Sequence, residues 1–471
     1  MYGEPRGQVR PLTCTMPPTM LSPISHLVVL MFENRSFDSL LGLHRPKGPD
    51  FDGLTGAETN PLTTGGSVQV SRLSGTDGFV TEPGPHHEHE DAMVHLFGNG
   101  PTTSPTNDGF ASRYQTTATE GVILDPRMAS QVMGVFDTRS QLPALAALAD
   151  EFRVCDAWFS SLPGPTWPNR FFVHCATSGG HFESPTDFDS VWSEGVGSLY
   201  DMPTIFESLA AAGASWNVYY QDIPQALALA RLHAHRGQFK RIASFAADCA
   251  AGTLPAYSFI EPGFFDVKML GLAASDMHPP HDVRHGDALI ATVYNALRAN
   301  EALWRTSMLL VVWDEHGGYF DHAPPPMAAI PDAASQANPT FHFDRLGVRV
   351  PAVVASPWVG KGSADHTVYH HSSIPATLAR LFGLPGPLTA RDAAASSFDR
   401  DLLDAPRTDT PQSIASLPTS GLPLGDEDML HSHHESLLAM ASRLNVPGLV
   451  APAETDVQAA IEHVARYLGG V

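Results

Sequence analysis

The chain has 471 residues, of which 43% are hydrophobic, and its formal net charge is −22 at pH 7. This composition provides for a large core, and its acidity argues against a nucleic-acid-binding surface and against electrostatic docking to anionic membranes. A phosphate substrate remains possible, because a bound metal ion can reverse the local sign of charge. Since no apolar run approaches the ~20 residues of a membrane span, we expect a soluble protein without integral membrane contact.

An irregular arm and a buried strand open the chain. Residues 1–23 are rich in proline and polar residues, which predicts an arm without regular structure. Residues 24–31 form an apolar run that is typical of a buried strand. Glu33 and Asn34 follow it directly. Because ligands of open α/β sheets gather outside the carboxyl ends of the strands, these two side chains are candidate ligand-binding groups.

A long irregular segment follows, over residues 42–109. It is rich in Gly, Pro, Thr, Ser and Asp, and loops of this length are usually functional or disordered. Residues 85–91 read Pro-His-His-Glu-His-Glu-Asp. This run is either a solvated loop or a loop that returns over the site and supplies one imidazole. In the second case we predict that His87, rather than His86, faces the site, because acidic residues follow it.

The next candidate is a threonine just ahead of a predicted helix. The Pro-Gly-Pro run at 163–165 interrupts regular structure, and Pro168 suits the first turn of a helix. Thr166 therefore lies where backbone N–H groups and the helix dipole favour a phosphate. It is either a simple capping residue or a reacting hydroxyl. Asn169 and Arg170 in the same turn favour the second interpretation, and we predict that both bind substrate.

The alternation of helix and strand then continues. The spacing of apolar residues predicts a helix over 204–212, strands over 216–220 and 254–260, and a long helix up to about residue 300. His278 comes shortly before this long helix. It serves either as part of the helix start or as a site histidine, and we predict the second role.

A second apolar run repeats the plan of the first strand. Residues 308–313 lead directly into Asp314 and Glu315, and His322 follows a few residues later. Two buried strands that each end in acidic or amide oxygens predict one shared cation. His322 is then a further candidate imidazole at the same site.

The overall pattern predicts an α/β fold with a mainly parallel sheet, helices on both faces and long functional loops. We expect a catalytic domain over residues 24–405. Residues 406–471 are expected to form a connector and a tail of two helices packed on that domain. The sequence does not determine the oligomeric state.

The candidate groups together predict a metal-assisted phosphoryl transfer. Oxygen donors suit a hard or borderline divalent cation, and Ca, Mn, Fe and Zn remain equally open. A metal-bound threonine hydroxyl loses its proton easily, attacks phosphorus, and is later released by water. A histidine would protonate the departing alcohol. The predicted metal ligands are Glu33, Asn34, Thr166, Asp314 and Glu315.

A series of motifs in the chain resembles the phosphoesterase family of bacterial phospholipases C and acid phosphatases, and several also resemble plant non-specific phospholipases C. The resemblance implies an alkaline-phosphatase-like α/β fold and hydrolysis of phosphate esters. It also implies metal ligation by Glu33, Asn34, Asp314 and Glu315, a nucleophile at Thr166, and site histidines at His87, His278 and His322. The motifs are Glu33-Asn34-Arg35-Ser36-Phe37-Asp38, Thr166-Trp167-Pro168-Asn169-Arg170, His278-Pro279, Asp314-Glu315-His316-Gly317-Gly318, Asp321-His322 and His371-Ser372-Ser373-Ile374-Pro375-Ala376-Thr377.

Several functions remain open on sequence alone. The leading one is a phospholipase C that cleaves a phosphodiester, for which a rim of aromatic residues would hold the acyl chains. The alternative is an acid phosphatase that acts on phosphomonoesters. A sulfatase-like or phosphonate hydrolase is less favoured, because Thr166 cannot be oxidised to formylglycine, and a non-catalytic binding protein would be expected to have lost ligands. The aromatic candidates for the rim are Phe159, Trp167, Phe171, Phe264 and Phe265.

Overall fold

The computed structural model describes residues 22–98, 100, 103–117, 123–185, 200–425 and 431–469. The arm predicted over 1–23 therefore lies almost entirely outside the described residues. The strands in chain order are β1 (His26–Phe32), β2 (Thr59–Pro61), β3 (Ser67–Gln69), β4 (Ser71–Arg72), β5 (Gly134–Val135), β6 (Arg153–Cys155), β7 (Trp158–Phe159), β8 (Trp216–Tyr220), β9 (Phe239–Arg241), β10 (Tyr257–Glu261), β11 (Ser307–Trp313), β12 (Ala352–Ala355), β13 (Ala364–Asp365) and β14 (Tyr369–His370).

Helices connect these strands, and short 3-10 helices supplement them at Ser130–Met133, Gln225–Ala228, Ala230–Gln238 and Lys268–Leu270. The α-helices in chain order are α1 (Phe37–Leu41), α2 (His89–Phe97), α3 (Phe110–Thr117), α4 (Pro126–Ala129), α5 (Thr138–Gln141), α6 (Pro143–Glu151), α7 (Thr166–Cys175), α8 (Ile205–Ala211), α9 (Ala243–Ala251), α10 (Val283–Arg298), α11 (Glu301–Trp304), α12 (Ala333–Ala337), α13 (Ser373–Phe382), α14 (Ala390–Ala394), α15 (Ser432–Arg443) and α16 (Val457–Tyr467).

The main sheet has the strand order β13-β6-β12-β11-β1-β10-β8-β9. β1 lies at its centre and runs parallel to both β10 and β11, with Phe32 beside Trp313. β8 and β9 extend the parallel part, whereas β12 is antiparallel to β11 and to β6. The prediction of a mainly parallel sheet is confirmed. The two predicted ligand-bearing strands are direct neighbours.

Helices cover the sheet in two groups. One group contains α6, α9, α10 and α11, which pack on one another and against β6, β11 and β12. The other contains α7, α8, α13 and α14 and packs against β8. Nearly every residue of β1, β10 and β11 is buried, as expected for parallel strands that are covered on both faces. The α/β fold class predicted from the sequence is therefore confirmed.

The element predictions differ from the structure mainly in the long irregular segment. β8 has the predicted bounds, and β10 begins three residues later than the predicted strand over 254–260. Within residues 42–109, the structure contains the helix α2 and three short strands. The helix α2 was not predicted, because acidic residues and histidines interrupt its apolar spacing. It places His87 just ahead of a helix that packs on the body of the protein.

The C-terminal tail forms two helices that contact each other, α15 and α16. Leu437, Leu438 and Met440 of α15 are completely buried in the same apolar core as β1. This anchorage fixes the start of α15 relative to the central sheet. Among the described residues, no helix is both long enough and apolar enough to cross a membrane.

Candidate active site

Four predicted ligand residues meet at one edge of the sheet. Glu33 and Asn34 follow β1, while Asp314 and Glu315 follow its neighbour β11. All four side chains are fully buried. The Arg35 N–H donates to the Glu315 carbonyl over 3.1 Å, which ties the two strand ends together. The structure therefore brings these four residues to the same edge of the sheet, as expected for adjacent parallel strands.

A glycine permits the close approach of the two connecting loops. Gly317 has a positive φ of 61°, and a Cβ atom at this position would lie 2.4 Å from the Asn34 carbonyl oxygen. Asn34 itself has a φ of 58°, a left-handed conformation that asparagine tolerates better than most residues. Any larger side chain at Gly317 would push the loops apart and displace Asn34.

Arg170 is a buried counter-charge for the carboxylates. Its Nε lies 3.0 Å from Asp314 Oδ2, and its NH2 group lies 3.4 Å from Glu33 Oε1. Its NH1 group lies 3.9 Å from Glu261 Oε2, and the Arg170 side chain is completely inaccessible to solvent. We predicted from the sequence that Arg170 binds substrate. In the structure its guanidinium is instead engaged by protein carboxylates, so it holds the acidic groups in place.

Asn169 stabilises the loop that leads to Thr166. Its Oδ1 accepts hydrogen bonds from the N–H groups of Ser161 and Leu162, at 2.8 and 3.1 Å. Its Nδ2 donates to the carbonyls of Leu162, Gly164 and Pro165. These bonds use the hydrogen-bonding capacity of the amide. The predicted contact with substrate is therefore replaced by a positioning role, which a helix-start pattern alone does not reveal.

Thr166 is the first residue of α7, and its hydroxyl is buried. Thr166 Oγ1 has no hydrogen-bond partner within the described part of the chain, so the capping interpretation is wrong. Residues four apart share one face of a helix, which places Thr166 on the same face as Arg170. Because Arg170 contacts Asp314 and Glu33, this face of α7 is turned toward the strand ends.

Four of the five predicted metal ligands share a deficit of hydrogen bonds, whereas both carboxylate oxygens of Asp314 accept one, from the Glu315 N–H and from Arg170. Buried polar atoms are normally paired, and an unpaired one costs about 1–3 kcal/mol. Among the described residues, each of the following buried oxygens accepts none: both carboxylate oxygens of Glu33, Asn34 Oδ1, Thr166 Oγ1 and Glu315 Oε1. Oxygens of this kind are the donor set that a hard divalent cation takes. The residues present therefore fit a metal ion.

The electrostatics of the site agree with this fit. Burial raises the pKa of Glu33 well above its usual value; Arg170 lowers it in part, and the nearby Asp314, Asp276 and Glu315 add to the rise. Burial likewise raises the pKa of Asp314 to about 7, despite its contact with Arg170. One guanidinium does not balance so many buried carboxylates, and a divalent cation would supply the missing positive charge.

His87 and His278 lie beside this site. His87 Nε2 is 3.0 Å from Asn34 Nδ2 and 3.8 Å from Glu315 Oε1. Its side chain is 12% exposed, in contrast to the fully buried Glu315. The ring of His278 lies 5.5 Å from that of His87. The loop over residues 85–91 therefore does return to the site, and its imidazole is at an accessible edge.

His322 lies in a different polar cluster. Its Nδ1 is 2.7 Å from Asp38 Oδ2, and its Nε2 is 3.2 Å from Asp52 Oδ1. The buried Arg349 also pairs with Asp38 and with Asp321. Within the described ranges, the hydrogen bonds of His322 do not reach the strand-end oxygens. The structure thus separates His322 from the other predicted site histidines, because Asp38 and Asp52 hold its ring.

The surroundings of His322 predict a pH-dependent stability. Burial alone would lower its pKa, but the hydrogen bonds that its ring donates to the Asp38 and Asp52 carboxylates outweigh this and raise the pKa to about 9 from an ordinary 6.5. Because the pKa of His322 is higher in the folded protein than in the unfolded chain, its protonation stabilises the folded protein. This contribution is complete below the ordinary pKa of 6.5 and is lost as the pH rises through about 9. We expect His322→Gln to remove this dependence, measured as Tm against pH. An unchanged pH profile in the variant would contradict the assignment.

Sequence reasoning missed a histidine from the C-terminal tail. His433, on α15, places Nε2 3.2 Å from Glu33 Oε1. Its ring also packs against Trp167, with 5.9 Å between centroids, and against Phe264. The available signal was the run His431-Ser432-His433-His434 at a helix start, but nothing in the spacing connects it with a strand at the other end of the chain.

The predicted aromatic rim is not present at the surface. The five candidates have exposed fractions between 0% and 5%, so they belong to the core. Trp167 and Phe264 contribute to the site by packing around His433 instead. This agrees with the alternative that the sequence favours for each residue taken singly, an ordinary core aromatic, and these five residues form no rim for acyl chains in this conformation. The residues concerned are Phe159, Trp167, Phe171, Phe264 and Phe265.

The fold and the site define an α/β protein with its candidate active site at the carboxyl ends of parallel strands. Residues 24–385 match the model of the Phosphoesterase family, and the chain belongs to this family. It is therefore an enzyme of the class that hydrolyses phosphate esters. The family match confirms the resemblance to this family that the sequence motifs indicated.

Named relatives agree with the family. The chain is 36% identical to "Non-specific phospholipase C6" of Arabidopsis thaliana, over 95% of its own length and 86% of the relative's. It is 37% identical to "Non-specific phospholipase C1" of the same plant, with 91% and 81% covered. It is 29% identical to "Phospholipase C B" of Mycobacterium tuberculosis, with 80% and 77% covered.

Solved structures that match part of this chain are more distant in sequence. One is a protein in the alkaline phosphatase superfamily from Vibrio parahaemolyticus, with a TM-score of 0.31, 12% identity, and 69% of this chain and 82% of that chain covered. Another is the lipoteichoic acid synthase LtaP from Listeria monocytogenes, with a TM-score of 0.35, 12% identity, and 54% and 70% covered.

Proposed function

We propose that the chain is a metal-dependent phosphoesterase that cleaves phospholipid phosphodiesters as a phospholipase C does, through a phosphothreonine at Thr166. The observation that carries the proposal is the group of buried oxygens of Glu33, Asn34, Glu315 and Thr166 that accept no hydrogen bond among the described residues. The relatives are named as phospholipases C, which supports the choice of a phosphodiester substrate.

The cation would be held by Glu33, Asn34, Asp314 and Glu315, with the Thr166 hydroxyl beside it. When bound, it would offset charge on the phosphoryl oxygens and favour the deprotonated hydroxyl. The acidic groups already share one positive partner in Arg170, which fixes the orientation of Asp314 and Glu33.

The chain's own residues then divide the reaction into two displacements. The Thr166 hydroxyl gives up its proton to solvent, its Oγ1 forms a bond to phosphorus, and the bond from phosphorus to the diglyceride oxygen breaks. His87, whose pKa the Glu315 carboxylate raises despite burial, gives its proton to the departing alkoxide. The N–H groups at the start of α7 hold the phosphoryl oxygens, as helix N-termini do for phosphates. Water then breaks the threonine–phosphorus bond and releases the phosphorylated head group.

Two chromogenic substrates test the choice of substrate class. We expect higher kcat/KM for p-nitrophenylphosphorylcholine, a phosphodiester, than for p-nitrophenyl phosphate, a monoester. Both release the same leaving group, so the comparison isolates the second substituent on phosphorus. A strong preference for the monoester would replace the phospholipase C proposal with an acid phosphatase.

Asp314→Asn should reduce the content of bound metal, because it removes one negative charge from the donor set. We expect sub-stoichiometric metal by elemental analysis after dialysis, together with a large loss of activity. Asp287→Asn is a matched control. The carboxylate of Asp287 is also buried, with a pKa raised to about 7 by that burial, but it caps α6 by accepting from Ala144 and Leu145. Equal metal content in the two variants would refute the ligand assignment.

A further inference from the structure

A second group of buried polar side chains lies beside the strand-end site. Asp276 and His281 come from the segment before α10, and His434 comes from the first turn of α15. One oxygen or nitrogen of each lies within 4.8 Å of those of the other two. All three residues are buried, with Asp276 completely inaccessible and His281 6% exposed. The C-terminal tail thus closes a pocket of titratable groups.

The atoms in this pocket are incompletely paired. Asp276 Oδ1 accepts from His281 Nδ1 at 2.8 Å and from the His278 N–H at 3.1 Å, whereas Asp276 Oδ2 has no hydrogen-bond partner among the described residues. His434 Nε2 donates to the Phe264 carbonyl over 2.6 Å, and this bond fixes the ring. His434 Nδ1 is left buried and unpaired.

Further imidazoles surround the same pocket. The ring of His431 stacks on that of His278 at 3.5 Å and on that of His434 at 3.8 Å. Both nitrogens of His431 and Nε2 of His278 are buried without partners in the described chain. Burial and the neighbouring imidazoles lower the pKa of His278, His431 and His434 well below the usual value, so these rings are neutral. Neutral imidazole is the form that binds metal ions.

We propose that Asp276, His281 and His434 form a binding site for a second divalent cation, separate from the oxygen-lined site at the strand ends. A carboxylate with two imidazoles is a nitrogen-rich donor set, which suits Zn²⁺ better than Ca²⁺ or Mg²⁺. Three protein ligands would leave a fourth position open. His434 Nδ1 is already oriented by the bond of its other ring nitrogen to a carbonyl, the usual arrangement for metal-binding histidines.

The two proposed sites are adjacent but chemically distinct. The Glu33 N–H donates to the Asp276 carbonyl over 2.9 Å, so the backbone connects them directly. The start of α15 also contacts both, through His433 at Glu33 and His434 at the second site.

Metal binding to the full-length chain tests this proposal without an activity assay. After removal of metal by a chelator, we expect titration with Zn²⁺ to give two equivalents. His434→Gln and Asp276→Asn should each weaken one equivalent by at least about tenfold, whereas Asp314→Asn should affect the other. A single equivalent that Asp314→Asn removes would overturn the proposal, as would unchanged binding in His434→Gln.

His463→Gln is the matched control for His434→Gln. Both residues are buried histidines on the C-terminal helices, and His463 Nε2 donates to the Leu444 carbonyl over 2.7 Å. His463 is not among the clustered groups, so this variant should keep both equivalents. If His434→Gln fails to fold, Co²⁺ bound to the Asp314→Asn variant, in which the second site is unchanged, provides a second test. We expect nitrogen scatterers at about 2.0–2.1 Å by X-ray absorption, and an all-oxygen shell would contradict the second site.

Discussion

Thr166→Ala is expected to lower kcat by at least about 10³-fold, while the fold is retained. The hydroxyl is buried and makes no hydrogen bond in the described structure, so its removal leaves no other buried group unpaired. The loss of activity would therefore come from the missing nucleophile. The measurement is hydrolysis of p-nitrophenylphosphorylcholine at saturating metal, with Tm recorded in parallel.

Thr166→Ser is the matched control for this substitution. It keeps a hydroxyl at the same helix position and should retain substantial activity. The phosphoryl group should then be attached to the serine at position 166. After rapid acid quenching, peptide mass spectrometry should find the phosphate on the peptide that contains residue 166. If Thr166→Ala kept most of its activity, or if no phosphorylated peptide accumulated in any variant, Thr166 would not be the nucleophile.

Arg170→Met is expected to destabilise the metal-free protein by about 3–5 kcal/mol, the usual effect of removing one partner from a buried ion pair. Methionine keeps much of the apolar volume but leaves Glu33, Glu261 and Asp314 without their guanidinium. The free energy of unfolding, from urea denaturation near neutral pH, measures the effect. The loss should shrink at lower pH, where the raised pKa of Glu33 and of Asp314 allows both to be neutral.

Arg231→Met provides the comparison for a surface ion pair. Arg231 lies 2.8 Å from Asp201 and 3.3 Å from Glu207, but its side chain is 35% exposed. Pairs of this kind contribute about 0–1 kcal/mol, because water competes for both charges. If the two arginine variants lost similar stability, the buried cluster around Arg170 would not be the electrostatic centre that its geometry indicates.

The strand ends were predictable from sequence because two local signals coincide there. Two apolar runs predict buried parallel strands. One is followed at once by Glu33 and Asn34, and the other by Asp314 and Glu315. The pairing of β1 with β11 then needs only the rule that ligands meet at the carboxyl edge of the sheet. The position of Thr166 followed in the same way from a helix start.

The roles of the neighbouring side chains were not predictable, since they depend on what each helix face packs against. Arg170 was expected at the substrate, yet the packing of α7 on the sheet directs it to Asp314 and Glu33. The side-chain amide of Asn169 is hydrogen-bonded to the backbone of the loop before Thr166. His433 and His434 reach the site only because α15 docks on the core through apolar residues, and no local pattern encodes that long-range contact.

The most direct test of the central claim is the anomalous scattering of Mn²⁺ in crystals of the intact chain. Mn²⁺ suits oxygen ligands and gives a clear signal. We predict a peak within about 2.0–2.6 Å of oxygens from Glu33, Asn34, Asp314 and Glu315, with Thr166 Oγ1 directed at the ion. A peak elsewhere with this site left empty, or an ion here with Thr166 turned away from it, would contradict the account.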